Sequence, residues 1–224
     1  MDNILEIKPV AYYKGPFGSK FGIPRQSALA EDVEGRIVFT EEYRVKEALR
    51  GLEGFSHIWL IWGFSANKPA KGEWQPTVRP PRLGGNKAVG VWASRSPYRP
   101  NPLGLSCVAL ERIDGTDLIV KGADLMDGTP IYDLKPYVAY ADAHPEARSG
   151  FVDQRGWKPL NVEVPDEVAS LFTADELSAL KEVLAQDPRP RYHDDPERVY
   201  GMPYAGRDVR FRVVEGVVVV VSCL

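Results

Sequence analysis

LSCVALERIDGTDLIVKGADLMDGTPIYDLKPYVAY, residues 105–140, holds three β-type runs separated by tight turns. Residues 105–113, 117–122 and 131–140 are rich in β-branched or aromatic side chains, and glycine and proline punctuate them. The same texture recurs upstream at residues 4–13, 36–40, 55–64 and 88–93. Roughly six or seven strands at this spacing predict a barrel or tightly closed sheet, which removes exposed edges. Strand–helix alternation is missing, so a doubly wound Rossmann sheet fits poorly. One short helix is expected over residues 43–50, stopped by Gly51.

Near Gly150 the texture changes. Residues 165–172 and 173–186 predict two helices, the second opening on Thr173-x-x-Glu176, a capping box for the free N–H groups of its first turn. Asp187-Pro-Arg-Pro190 ends it. Residues 208–214 and 217–222 predict a hairpin around Glu215-Gly216, with Val209, Phe211 and Val213 on one face and Arg210 and Arg212 on the other. The chain therefore reads as mainly β, with a main unit over residues 1–150 and a small α+β appendage over residues 151–224.

Composition bounds the function classes. The chain has 224 residues, 44% hydrophobic and 26% charged, with a formal net charge of −3. No apolar run approaches the roughly 20 residues needed to cross a bilayer, and the opening MDNILEIKPV lacks the charged-then-apolar order of a secretory signal. Cys107 and Cys223 sit in apolar strand-like runs, which predicts buried free thiols in a reducing cytoplasm. His57, His144 and His193 show no ligand spacing, so no metal site is expected. The mean charge hides an asymmetry. Residues 71–100 carry six bases (Lys71, Arg79, Arg82, Lys87, Arg95, Arg99) against Glu73, whereas residues 141–200 carry thirteen acids against seven bases. The basic run reads either as a patch for phosphate or as a solvated rim.

Four segments are richer in Pro, Gly, Arg and polar residues than folding requires. In residues 21–27, FGIPRQS, a proline precedes a forked cation and an amide, a set suited to a carboxylate, or else an ordinary surface turn. Residues 77–86, TVRPPRLGGN, resemble an anion-binding loop, a pattern that linkers share. In residues 94–106, SRSPYRPNPLGLS, three prolines fix the backbone from which Arg95, Arg99 and Asn101 project. Such preorganisation suits a binding site, although a rigid strand connector looks similar. In residues 124–137, DLMDGTPIYDLKPY, a turn at Asp127-Gly128 leads into a strand carrying Asp133, Lys135 and Tyr137 at spacing two. That period sends all three to one face, as a polar site or a self-neutralising surface ladder.

Taken in order, Pro24-Arg25-Gln26, residues 51–59 (GLEGFSHIW), residues 79–86 (RPPRLGGN), residues 99–106 (RPNPLGLS) and residues 127–137 (DGTPIYDLKPY) resemble the tRNA threonylcarbamoyladenosine N6-methyltransferase family (TsaA/TrmO-like). The tail, with Asp187-Pro-Arg-Pro-x-Tyr192 and the final hairpin, is similar to that family's C-terminal extension. The resemblance implies a single-sheet β-barrel methyltransferase domain, a homodimer with cofactor near the subunit interface, and a tRNA substrate. It also implies S-adenosylmethionine as cofactor and S-adenosylhomocysteine as product. By motif match it places cofactor contacts at Pro24, Arg25, Gln26, Phe64, Ser65, Arg95, Leu105, Asp127, Gly128, Thr129, Pro130 and Ile131.

Candidate substrate contacts, chosen from the residues themselves, are Arg99, Asn101, Asp133, Lys135 and Tyr137; Arg99 or Lys135 would meet a substrate carboxylate. Arg95 and Arg99 are expected on one side of an extended loop, one toward cofactor and one toward RNA, neither carrying much packing. No catalytic residue is assigned. The rival readings are an enzyme of this fold acting on a small molecule and a non-catalytic cofactor-sensing or RNA-binding module.

Overall fold

A computed structural model describes residues 5–66, 74–80, 87–153, 158–189 and 195–224. Its strands are β1 (Ala11–Lys14), β2 (Glu34–Phe39), β3 (His57–Gly63), β4 (Thr77–Val78), β5 (Val89–Gly90) and β6 (Leu103–Asp114). They continue with β7 (Asp117–Lys121), β8 (Pro130–Pro136), β9 (Asn161–Glu163), β10 (Tyr200–Tyr204), β11 (Arg207–Val214) and β12 (Val217–Cys223). The fold is mainly β. Six strands close a barrel in the order β1-β2-β7-β6-β3-β8. Every ladder given for it is antiparallel.

Alternation decides what enters the barrel. Ala11 and Tyr13 of β1, Ile37 and Phe39 of β2, Ile58, Leu60 and Trp62 of β3, and Val108 of β6 point inward. Tyr13 is the largest fully buried side chain of the barrel core among the described residues. Its ring fills space that side chains at Gly15 and Gly35 would need: a Cβ on Gly15 would lie 2.3 Å from Tyr13, and one on Gly35 2.2 Å. The interior is therefore packed, and a ligand has to sit at a mouth.

The second sheet, β10-β11-β12-β9, packs on helix α3 (Ala174–Ala185), which follows the short helices α1 (Ala139–Asp142) and α2 (Asp166–Ala169). The capping box at Thr173 and Glu176 is formed. Ala179, Leu180, Val183 and Leu184 bury one face of α3 against Val209, Phe211, Val218 and Val220. Phe17, Ala30 and Val33, from the connection between β1 and β2, belong to this core rather than to the barrel's. Polar ties hold the connection there: the Glu182 carboxylate accepts from the Asp32 N–H (2.8 Å), and Gln186 donates to the Leu29 carbonyl (2.9 Å).

Several local expectations are corrected. Residues 43–50 form no α-helix but 3₁₀ turns at Glu41–Tyr43 and Lys46–Leu49, neither with a side-chain cap, and so short a segment cannot offset helix nucleation. Residues 88–93 give no barrel strand; Val89–Gly90 pairs with Thr77–Val78 outside the barrel, and Val91–Ala93 is 3₁₀. Of residues 4–13 only the end is strand, and Ile4 lies outside the described residues. Residues 131–140 are strand only to Pro136; the Tyr137 N–H still donates to the His57 carbonyl (3.0 Å), and α1 follows from Ala139. Residues 165–172 shrink to the single turn of α2. Strands β4, β9 and β10 have no counterpart in the sequence reading. Cys107 and Cys223 are free but only partly buried. Also outside the described residues are Lys71, Glu73, positions 81–86 of the second polar segment, and positions 190–194, including Tyr192 and His193.

Replacing Gly35 with Ala forces the Tyr13 ring to move, and overpacking of this kind costs about 1–3 kcal/mol. The Tyr13 hydroxyl is buried without a hydrogen-bond partner. Tyr13→Phe should therefore leave stability unchanged or raise it, and should restore part of what Gly35→Ala loses. Thermal melts of the three variants check this, expecting about 2–4 °C per kcal/mol.

Candidate active site

One barrel mouth opens into a cleft of about 470 Å³, within the range of small-molecule sites. Four chain segments wall it: Ile23 to Gln26, the end of β3 from Trp62 through Ala66, the Ser94–Arg99 bend with Leu103 to Leu105, and Asp124, Met126 and Thr129 ahead of β8. A register shift between Ile61 and Trp62 in the β3–β8 ladder lies at this rim, where such irregularities re-aim side chains.

The glycine of Pro102-Leu103-Gly104-Leu105-Ser106 has a specific reason. A Cβ at Gly104 would lie 2.2 Å from the Trp62 indole, which packs flat over that backbone. So placed, Trp62 Nε1–H donates to Ser106 Oγ at 3.0 Å. Indole can only donate, so Ser106 accepts there and its own proton goes to Asp124 Oδ1 at 2.5 Å. Asp124 is the one carboxylate lining the cleft among the described residues. Burial pushes its carboxyl above the usual range, opposed by the Ser106 hydrogen bond, by backbone N–H groups and by the Arg95 charge. Arg95 in turn donates to the Gln26 side-chain oxygen.

Of the expected cofactor contacts, Pro24, Arg25, Gln26, Phe64, Ser65, Arg95, Leu105 and Thr129 line the cleft. Asp127, Gly128, Pro130 and Ile131 are not in its lining. Asp127 accepts from the Gly15 N–H at 3.2 Å, Gly128 turns at φ 77°, Pro130 opens β8, and Ile131 is buried in the barrel. Of the candidate substrate contacts only Arg99 lines the cleft. Asn101 is exposed, with its carbonyl accepting from the Leu103 N–H. Asp133 and Lys135 pair at 2.8 Å, and Tyr137 packs on His57 and Trp59. The sequence expectations did not include Trp62 or Asp124; a glycine inside a strand, as at Gly104, marks a close approach but does not say which residue makes it.

The loop bearing Arg95 and Arg99 is bent, not extended, yet both reach the same cleft. Arg99 also carries packing, contrary to expectation. Its Nη1 donates to the carbonyls of Val91 (3.2 Å) and Ser94 (2.6 Å), and its guanidinium lies 5.0 Å from the Trp92 ring centroid.

The N-terminal domain of tRNA-methyltransferase O matches residues 12–143, and its C-terminal domain matches residues 158–224. The chain belongs to the TrmO family. An Escherichia coli K12 protein named "tRNA (adenine(37)-N6)-methyltransferase" is 36% identical over 222 residues, covering 94% of both chains. A Pseudomonas aeruginosa protein named "Putative S-adenosylmethionine-dependent methyltransferase RcsF" is 38% identical over 212 residues, 92% of this chain and 91% of the other. The crystal structure of TrmO from Pseudomonas aeruginosa superposes with a TM-score of 0.81 at 31% identity, covering 99% and 98% of the two chains. Among the described residues of this TrmO-family chain there is no cluster of three or more potential metal ligands, and no helix is long and apolar enough to cross a membrane.

Arg99→Ala removes the donor that closes the 91–99 bend. Faster hydrogen exchange across that bend is expected, and Arg99→Lys should not rescue it, because an ammonium lacks the planar fork. Arg95→Ala should leave exchange there unchanged.

Proposed function

We propose that this protein transfers a methyl group from S-adenosylmethionine to N6 of threonylcarbamoyladenosine at position 37 of tRNA, releasing S-adenosylhomocysteine. The reading has a barrel unit over residues 1–150 and a smaller unit over 151–224, acting in the cytoplasm as a homodimer. The observation that carries it is the single carboxylate of a cation-rich cleft, in a chain that matches TrmO relatives over nearly its whole length. Leu103 and Leu105, 37% and 56% exposed at the cleft edge, support a second copy as the missing wall.

The cleft's donor set fits the cofactor. Arg25, Arg95 and Gln26 would hold its carboxylate, and Ile23, Phe64, Leu105 and Met126 would cover its apolar parts. Bound S-adenosylmethionine supplies an electrophilic methyl on a sulfonium centre. The protein has then to align the target nitrogen and to take its proton. N6 is conjugated into a urea, which makes its lone pair a poor nucleophile while the N–H remains. Ser106 donates to Asp124 Oδ1, and the Ser27 and Asp124 backbone N–H groups also reach this carboxylate, which is the group that would receive that proton. Burial raises Asp124's appetite for a proton, and Arg95 and Ser106 act against that rise by favouring the ionised form. Arg99 faces the same cleft and offers a cation to the threonyl carboxylate.

Mass spectrometry of tRNA nucleosides tests the reading. Cells without the gene should lack methylated threonylcarbamoyladenosine, and the restored gene should bring it back; an unchanged nucleoside profile sinks the proposal.

The base makes a pH prediction. Asp124 must be ionised to accept, and its pKa is raised, so activity falls as pH drops through a value above that of an ordinary aspartate. Ser106→Ala removes an interaction that lowers this pKa, so the acid limb of kcat/KM should move further upward. Asp124→Asn should cut kcat by roughly 10²- to 10⁴-fold without loss of fold by circular dichroism.

A further inference from the structure

A second, larger cleft of about 1390 Å³ adjoins the first and shares Arg25, Gln26, Ser94 and Arg95 with it. Its wall is aromatic and exposed. Trp92 is 65% exposed and Tyr98 46%, and both line it. Trp74, 47% exposed, stacks on Trp92 with centroids 6.1 Å apart and planes at 26°. Three large rings in water at one place are a binding surface more often than an accident.

These rings are held in place before any partner arrives. The Gln75 N–H donates to the Tyr98 carbonyl (3.2 Å) and the Val91 N–H to the Pro76 carbonyl (2.9 Å), tying together the backbones that carry them. The Arg99 guanidinium packs against Trp92 from the side of the first cleft. Charge complements the rings: Arg25, Arg79 and Arg95 line this cleft, and no Asp or Glu does among the described residues. Flat, rigid, exposed rings beside cations, without acids, match an unpaired nucleic-acid strand, whose bases stack while its phosphates meet arginine. A protein partner would have no charge of its own to answer three arginines unless it were acidic. Continuity matters too, because a nucleotide with its base in the first cleft places its neighbours over the second.

We propose that Trp74, Trp92 and Tyr98 form a stacking platform for the unpaired bases flanking the target nucleotide, with Arg79 on the adjoining phosphate. This rests on the methyl-transfer reading of the first cleft. It gives the barrel's own loop the task of gripping the anticodon-loop strand.

The probes are an RNA hairpin with the stem and seven-membered loop of an anticodon arm, roughly the size such a cleft takes, and a blunt duplex of the same stem. Tyr98→Leu and Trp74→Leu lie outside the cofactor cleft. Each should weaken hairpin binding by about fivefold to a hundredfold in anisotropy titrations, with S-adenosylhomocysteine affinity by calorimetry held within about twofold. Trp92→Phe, which keeps a ring under Arg99, should lose less. Arg79→Gln should reduce the slope of log Kd against log salt by about 0.7. In the unaltered protein, tryptophan fluorescence should be quenched by hairpin and not by duplex, and Trp74→Leu should diminish that quenching.

The proposal is overturned if folded Tyr98→Leu and Trp74→Leu bind hairpin as tightly as the parent. It is equally overturned if light scattering shows them converted from dimer to monomer, since the rings then serve a second copy. Hairpin bound through the rings with no methylated nucleoside in cells would instead sink the methyl-transfer reading and leave the platform standing.

Discussion

The barrel has no room inside. Buried side chains from its strands fill it, and Tyr13 lies so close over the β1–β2 wall that the chain carries glycine at positions 15 and 35, where a Cβ would come within 2.3 Å of the ring. A six-stranded closed sheet is near the size at which side chains alone fill the lumen. Chemistry is therefore displaced to the rim, and a rim is made of loops. Loops lack the ladder hydrogen bonds that make strands rigid, so the problem this fold solves is how to hold rim segments still enough to bind a small molecule.

Two solutions operate on two sides of the cleft. On one side the connection between β1 and β2, which bears Pro24, Arg25 and Gln26, is taken into the core of the C-terminal sheet through Phe17, Ala30 and Val33. It is pinned to α3 and the residues after it through Asp32, Leu29 and Arg25. Among the described residues the C-terminal unit thus shapes the barrel's cleft without lining it, a use independent of any contact with RNA. On the other side the 91–99 bend closes on itself: Arg99 commits Nη1 to two carbonyls of its own loop, and Pro97, with Pro100 and Pro102 just beyond, restricts what remains. Longer reach from one side and self-closure on the other leave the cleft framed by parts of unequal origin.

Much of this was legible in residue types. A barrel or tightly closed sheet followed from short β-type runs with turn punctuation, because alternation and Gly/Pro spacing are local signals, and the family resemblance implied the barrel. The capping box at Thr173 and the face shared by Val209, Phe211 and Val213 are local as well. What escaped needs partners distant in sequence. Nothing near Phe17 says that it packs on Tyr204, and nothing near Ser106 says that Trp62 and Asp124 complete its hydrogen bonds. At residues 127–131 the turn at Asp127 and Gly128, tied to the Gly15 N–H far upstream, delivers Thr129 to the cleft. Val89–Gly90 looks like a barrel strand by composition, but β3 already has β6 and β8 as neighbours, so no edge was open to it.

Charge placement follows from the chemistry a sulfonium donor demands. A site crowded with carboxylates would stabilise the cation before transfer, and that stabilisation would be lost as the charge disappears. A site with no carboxylate would have nowhere to put the N6 proton. The cleft resolves the conflict with one aspartate, its first oxygen committed to Ser106 and its charge set against Arg95. Burial raises its proton affinity, which would suit a group that ends the proposed reaction protonated. The Trp62–Ser106 pair makes this arrangement directional, because an indole N–H cannot accept and so leaves the serine proton a single destination. Gly104 is what allows the indole to lie there. A missing side chain on β6 thus bears on the orientation of the one carboxylate that lines the cleft among the described residues.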